Sequence, residues 1–143
     1  MRTENTALAK AGTKVVRVGP DGAAWIEGYR CHECDAVVTV ATMACRRCAS
    51  RIPPAPFRAT DRGKLFSWSV VHRSYPGIAV PFVSAIVDLD DGLSLKGTLR
   101  NADAAALQCG MPVVLVLDDA GGTHDKDGVP YVGYHFVPEG IPA

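Results

Sequence analysis

Residues 31–48 read CHECDAVVTVATMACRRC, two Cys-x-x-Cys pairs with ten residues between them. A Cys-x-x-Cys turn aims two sulfurs at one point, and zinc takes four thiolates in a tetrahedron with Zn–S near ~2.3 Å. Cys31 and Cys34 therefore form one knuckle of a compact zinc ribbon, and Cys45 and Cys48 form the other. The stretch AVVTVAT between them is β-branched and suits a short strand. A redox dithiol is the chemical rival. Such a pair opens a helix, whose terminus lowers the thiol pKa, and no helical pattern follows Cys34 or Cys48. A catalytic zinc keeps an open position, whereas four thiolates close the shell, so a structural metal is expected. His32 is the alternative ligand, but its place inside the knuckle points it outward. With little apolar mass in the ribbon, the ion is expected to supply much of its folding free energy.

The chain has 143 residues, 48% of them hydrophobic, enough for a packed core in one ordinary domain or two small ones. A formal net charge of +0 argues against a general polyanion binder. No apolar run reaches the roughly 20 residues of a membrane span. The opening MRTENTALAKAG has no apolar signal core. The expectation is a cytoplasmic protein with reduced thiols and no membrane partner. The fifth cysteine, Cys109, is expected to be a buried structural thiol.

Working outward from the ribbon, residues 1–12 are Ala-rich and fit a short helix or a mobile end, and TKVVRV followed by GPDG reads as a strand and a turn. Residues 1–23 form an N-terminal extension and 24–50 the ribbon. Three prolines in RIPPAPF stop any helix or central strand, so 51–58 is an extended linker. Residues 59–143 carry five strand signals: KLFSWSVVHRSY, PFVSAIVDLDDG, LSLKGTLR, MPVVLVLDD and VPYVGYHFVPE. A short helical stretch, NADAAALQ, lies between the third and fourth, with Asn101 as its expected N-cap. This order predicts a five-stranded OB-type barrel, with Gly97 as the expected place of the bulge or bend that a small barrel needs. The fold class is mostly β: a zinc ribbon followed by an OB barrel. PGIAVPFV is read first as strand core and second as an apolar docking edge.

Charge separates along the chain. Arg30, Arg46, Arg47, Arg51, Arg58, Arg62 and Lys64 face only Glu33, Asp35 and Asp61, whereas nine acids against Lys96, Arg100 and Lys126 occupy 88–139. A single-stranded nucleic-acid platform wants a basic groove with stacking aromatics, and the acidic half of the barrel disfavours it. It remains the alternative function. The basic band offsets the negative charge of a tetrathiolate, or else Arg46, Arg47 and Arg51 meet a phosphate group or an acidic partner. His72 and His135 pair with no Ser or Cys nucleophile motif. DDAGGTHDKDG does not match a calcium loop and reads as a solvated turn. No catalytic residue is assigned.

The order GYRCHECDAVVTVATMACRRCAS, Pro-rich linker, GKLFSWSVVHRSYPGIAVPFVSAIVDLDDGLSLKGTL and GMPVVLVL resembles the acyl-CoA-associated proteins that join a rubredoxin-like zinc ribbon to an OB fold. The likeness spans roughly residues 20–137. It implies a non-catalytic small subunit whose thiolase-like partner carries the catalytic cysteine and histidines, in a complex acting on acyl-CoA. It implies degradative thiolase or aldolase chemistry on aromatic (benzylsuccinyl-CoA-type) or steroid side-chain substrates. Zinc is then structural, and a CoA thioester is the ligand of the complex. Many members open with paired helices, whereas TKVVRVGPDGAAWIEGY reads as a short hairpin.

Overall fold

The computed structural model describes residues 9–141, so the expectation for residues 1–8 lies outside it. The regular structure among the described residues is almost all strand, and the chain divides into two compact units. Unit 1 comprises the chain up to Ala59 together with Leu117–Tyr134, and unit 2 comprises Thr60–Val116 and the chain from His135 onward. Residues 117–134, read from the sequence as barrel, thus group with the first unit.

Unit 1 is built on β3. The strands β1 (Lys10–Ala11), β2 (Val16–Val18), β3 (Ala24–Arg30), β4 (Val37–Val38) and β5 (Ala55–Arg58) precede the barrel. β2 pairs antiparallel with β3, setting buried Val16 opposite buried Ile26. The GPDG turn closes this hairpin: Asp21 accepts from the Ala23 N–H at 3.0 Å, and Gly22 takes a left-handed φ of 84°. β3 also pairs with β4 and β5. The last four residues of the proline-rich 51–58 stretch are therefore sheet. Pro56 sits there on an edge strand, where a missing N–H is tolerated. Of AVVTVAT, only Val37–Val38 is strand.

Unit 2 holds most of the barrel. β6 (Arg62–Val71), β7 (Phe82–Leu89), β8 (Ser94–Leu99), β9 (Pro112–Asp118) and β10 (Tyr131–Pro138) close in the order β6–β7–β8–β10–β9 and back to β6. The β8–β10 pair is parallel, and β6–β7, β7–β8 and β6–β9 are antiparallel. This is the expected OB topology. Alternation does the sorting: Val83, Ala85, Val87 and Leu89 are buried while the residues between them face outward. Leu65, Leu93, Val113 and Phe136 complete a core sealed from water. Fully burying such side chains is worth about 1.5–3 kcal/mol each.

Three local expectations are corrected. The bulge lies between Leu65 and Ser67, not at Gly97. Gly97 stays in register with Ala85, and Ala85 pairs with Trp68. Gly97, Ala85 and Trp68 thus stand in one cross-strand row across β8, β7 and β6, with no residue skipped at the glycine. The helical stretch is one 3-10 turn, Ala104–Ala106, capped by Asp103, whose carboxylate accepts from the Ala105 N–H at 3.0 Å. Asn101 instead takes a left-handed φ of 58° ahead of it. Of PGIAVPFV, only Phe82 and Val83 enter a strand, and Ile78 and Val80 are exposed in the β6–β7 loop.

Gly63 is the tightest point of β6. A Cβ there would stand 2.6 Å from the Asp88 carbonyl oxygen and 3.0 Å from Leu89 Cα. Backbone cannot retreat as a side-chain end can. Gly63→Ala is expected to cost about 1–3 kcal/mol, read as a lower urea midpoint at unchanged slope. Wild-type stability would show that strand spacing does not require this glycine.

Candidate metal centre and its surroundings

β3 delivers the first knuckle. Its exposed face carries a polar ladder: Tyr29 donates its hydroxyl to Glu27 at 2.7 Å, and Arg17 donates to Glu27 and to Tyr29, both at 3.1 Å. The Tyr29 hydroxyl, with Arg17 beside it, holds the Glu27 carboxyl below its ordinary range. The strand ends at Arg30, and Cys31 follows, buried.

The two knuckles repeat one geometry. The Asp35 N–H donates to the Cys31 carbonyl at 3.2 Å, and the Ala49 N–H to the Cys45 carbonyl at 2.9 Å. The Cys31 N–H donates to Ala36 and the Cys45 N–H to Ser50. Two residues past each leading cysteine an amide points at sulfur: Glu33 N–H to Cys31 Sγ and Arg47 N–H to Cys45 Sγ, both 3.4 Å. Asp35 and Ala49, each just after the second cysteine, have φ of 61° and 64°. That turn brings its own two sulfurs to one side at the cost of a left-handed residue.

All four Sγ atoms lie within 4.8 Å of one another. Cys31 and Cys48 are 3.6 Å apart across the knuckles, and so are Cys34 and Cys45. A tetrahedron with Zn–S of about 2.3 Å has edges of about 3.8 Å, so the set fits one zinc ion. The backbone N–H groups of Cys48 and Arg47 draw the Cys45 thiol down to about 6. Cys48 goes up to about 12: the Ser50 N–H pulls it down, but desolvation and the other three thiols outweigh that. Clustering raises Cys34 and Cys48, and a bound cation would supply the compensating charge that lets the set ionise. His32 is exposed and stands outside the cluster.

The basic band splits by environment. Arg30 lies over the Phe57 ring at 5.1 Å and Arg58 over Trp25 at 3.9 Å, each a cation–π contact. Arg62 pairs with Glu139 at 2.6 Å. Arg46 and Arg47 are exposed at a groove of about 400 Å³, lined also by Tyr29, Val38, Ile52 and Pro54. Arg51 is exposed but does not line it. The sequence did not announce this groove, because its wall joins β3, β4 and the segment after the second knuckle. The apolar ribbon tip was also missed: Met43 is 91% exposed, with Val40 and Ile52 exposed as well.

Elsewhere, His72 and His124 are exposed and His135 is buried. Asp125 accepts from the Asp127 and Val129 N–H groups at 2.9 Å and pairs with Lys10, so its carboxylate serves its own turn. Cys109 is exposed, not buried as expected. It precedes Gly110, which takes a left-handed φ of 90° ahead of β9.

Ala49 offers a direct check of the knuckle. Glycine there removes the left-handed strain, and Ala49→Gly is expected to stabilise the zinc-loaded chain by up to about 1 kcal/mol, read by thermal unfolding. Destabilisation would show that the knuckle is not strained at this residue. Lowering pH is expected to release the metal, since protons compete for the thiolates. Release that rises with pH would contradict thiolate ligation.

Comparison with known proteins agrees with this architecture. Residues 58–118 match the ChsH2 C-terminal OB-fold domain. A segment of 56 residues is 46% identical to the 3-oxo-4,17-pregnadiene-20-carboxyl-CoA hydratase alpha subunit of Mycobacterium tuberculosis, covering 38% of this chain and only 18% of that protein. Benzoylsuccinyl-CoA thiolase subunit BbsA of Geobacter metallireducens is 28% identical over 85% of this chain and 81% of its own length. Among solved structures, the Ltp2-ChsH2(DUF35) aldolase superposes with a TM-score of 0.64 at 26% identity, over 80% of this chain and 84% of that one. With a four-cysteine ribbon leading into a closed barrel, the chain is similar to the acyl-CoA-associated proteins that join a rubredoxin-like ribbon to an OB fold, and its residues 58–118 match the ChsH2-type OB domain itself.

Proposed function

We propose that this chain is the non-catalytic small subunit of a heteromeric thiolase- or aldolase-type complex acting on acyl-CoA, in the degradation of aromatic or steroid side-chain substrates. The observation that carries the reading is the likeness over four-fifths of the chain to the ChsH2-containing aldolase, joined by likeness to a thiolase subunit. Cys31, Cys34, Cys45 and Cys48 hold one zinc ion. With four protein sulfurs around it, that ion has no open position for substrate, and its contribution is folding energy. The ribbon and barrel then order the partner's active-site segments and help to form its CoA or acyl pocket.

Arg46 and Arg47 are the groups of this chain offered to CoA phosphate or to an acidic partner surface, with Arg51 as a more remote member of the same patch. Guanidinium binds phosphate through paired donors in a fixed fork, and aliphatic and aromatic walls beside it suit a partly apolar ligand. In the barrel unit, Tyr75, Ile78 and Val80 are exposed apolar residues of one loop and are offered to a partner subunit.

The purified chain alone is expected to contain one zinc and to show no turnover of acyl-CoA; activity should require a co-purifying thiolase-like subunit. Turnover by the isolated chain would overturn the assignment. In the reconstituted complex, Arg46→Ala with Arg47→Ala is expected to raise KM for acyl-CoA about 3- to 10-fold with kcat little changed. Arg51→Ala should do less. An unchanged KM in the double variant would remove these arginines from the CoA site. Oligonucleotide binding that falls steeply with salt would favour the nucleic-acid alternative instead.

A further inference from the structure

The four cysteines differ in access, and that difference has chemical consequences. Cys31 is only 5% exposed, Cys34 and Cys45 are half-buried, and Cys48 is exposed. The sulfur next to Cys48 across the site is Cys31, at 3.6 Å, and the remaining two sulfurs stand at the same distance from each other. Both contacts join one knuckle to the other. Within a knuckle, the turn is already braced by its own backbone bond and its amide-to-sulfur bond.

Resting on the zinc-tetrathiolate reading above, we infer that Cys48 is an oxidation site, and that a hydroperoxide converts the ribbon into a form cross-linked between knuckles, Cys31 to Cys48 and then Cys34 to Cys45, with loss of the metal. In the first step the Cys48 thiolate attacks the peroxide O–O bond, giving a sulfenic acid and hydroxide. The Cys31 thiolate then attacks the sulfenic sulfur and expels a second hydroxide. The sulfur pair loses two electrons, the peroxide gains them, and protons from solvent carry both hydroxides away as water. A second peroxide closes the Cys34–Cys45 pair by the same route. Each disulfide ties the two knuckles together, so the ribbon keeps its chain path when the metal leaves.

The test uses the full zinc-loaded chain carrying Cys109→Ser, which removes the exposed bystander thiol. The chain is treated with increasing hydrogen peroxide and followed by a chromogenic zinc indicator, by dimedone labelling and by tandem mass spectrometry of unreduced peptides. Trypsin cuts after Arg46 and Arg47, placing Cys48 on a different peptide from the other three cysteines. The expected result is dimedone on Cys48 first, a first disulfide between Cys31 and Cys48, zinc release in step with it, and reversal by dithiothreitol. First labelling at another cysteine, a first disulfide inside Cys31–Cys34 or Cys45–Cys48, or zinc retained under a large excess of peroxide would overturn it. Cys34→Ser, which leaves the first pair intact, should still form the Cys31–Cys48 link, and failure to do so in a folded variant would also count against it. Absence of zinc from the untreated chain would sink the tetrathiolate reading itself, a separate outcome.

Discussion

Four sulfurs gathered inside a sphere a few ångströms wide cannot all ionise without a compensating cation, and the rest of the ribbon is arranged around that constraint. The two knuckles hold their sulfurs with backbone bonds of the same pattern, each accepting one left-handed residue to do so. β3, pinned by the Arg17–Glu27–Tyr29 ladder, ends where the first sulfur is needed. The apolar content of the ribbon is small: Val16 and Ile26 are its fully buried side chains of size. Packing of that scale is slight beside chain entropy of about 1–2 kcal/mol for each ordered residue, and a cation held by the four cysteines would add to it.

The barrel depends on a different economy. Its inner face is supplied by strict alternation, and its closure is supplied by β10 pairing with both β8 and β9. Among the described residues it gathers no cluster of metal-ligating side chains. One bulge at Phe66 turns β6, and that ring is left largely exposed as a consequence.

The parts of this arrangement that repeat at fixed spacing were legible in the sequence. The cysteine pairs announce the tetrahedral set because two short turns suffice to build it, and β7 reads directly from period two. What depended on register was not legible. Whether a glycine marks a bulge or stays in register is decided by which residue stands opposite, and only the paired strands show Ala85 there. Asp103 rather than Asn101 caps the 3-10 turn because the competing side chain had first to be placed relative to the Ala105 amide. The basic band read as one patch in sequence. In space, Arg30 and Arg58 turn to aromatic rings, while Arg46 and Arg47 stay available. Cys109 followed the usual burial of thiols in expectation and the local turn in fact.

The assignment of Leu117–Tyr134 to the ribbon's unit has a consequence for the chain as a heritable object. Each unit is made from two separated lengths of sequence, so no single cut yields either one whole. A fragment ending near Ala59 would leave β1 without Tyr131 and Val132, the residues it pairs with. Recombination or domain shuffling at the proline-rich stretch, the boundary that composition suggests, would therefore divide a unit rather than separate two.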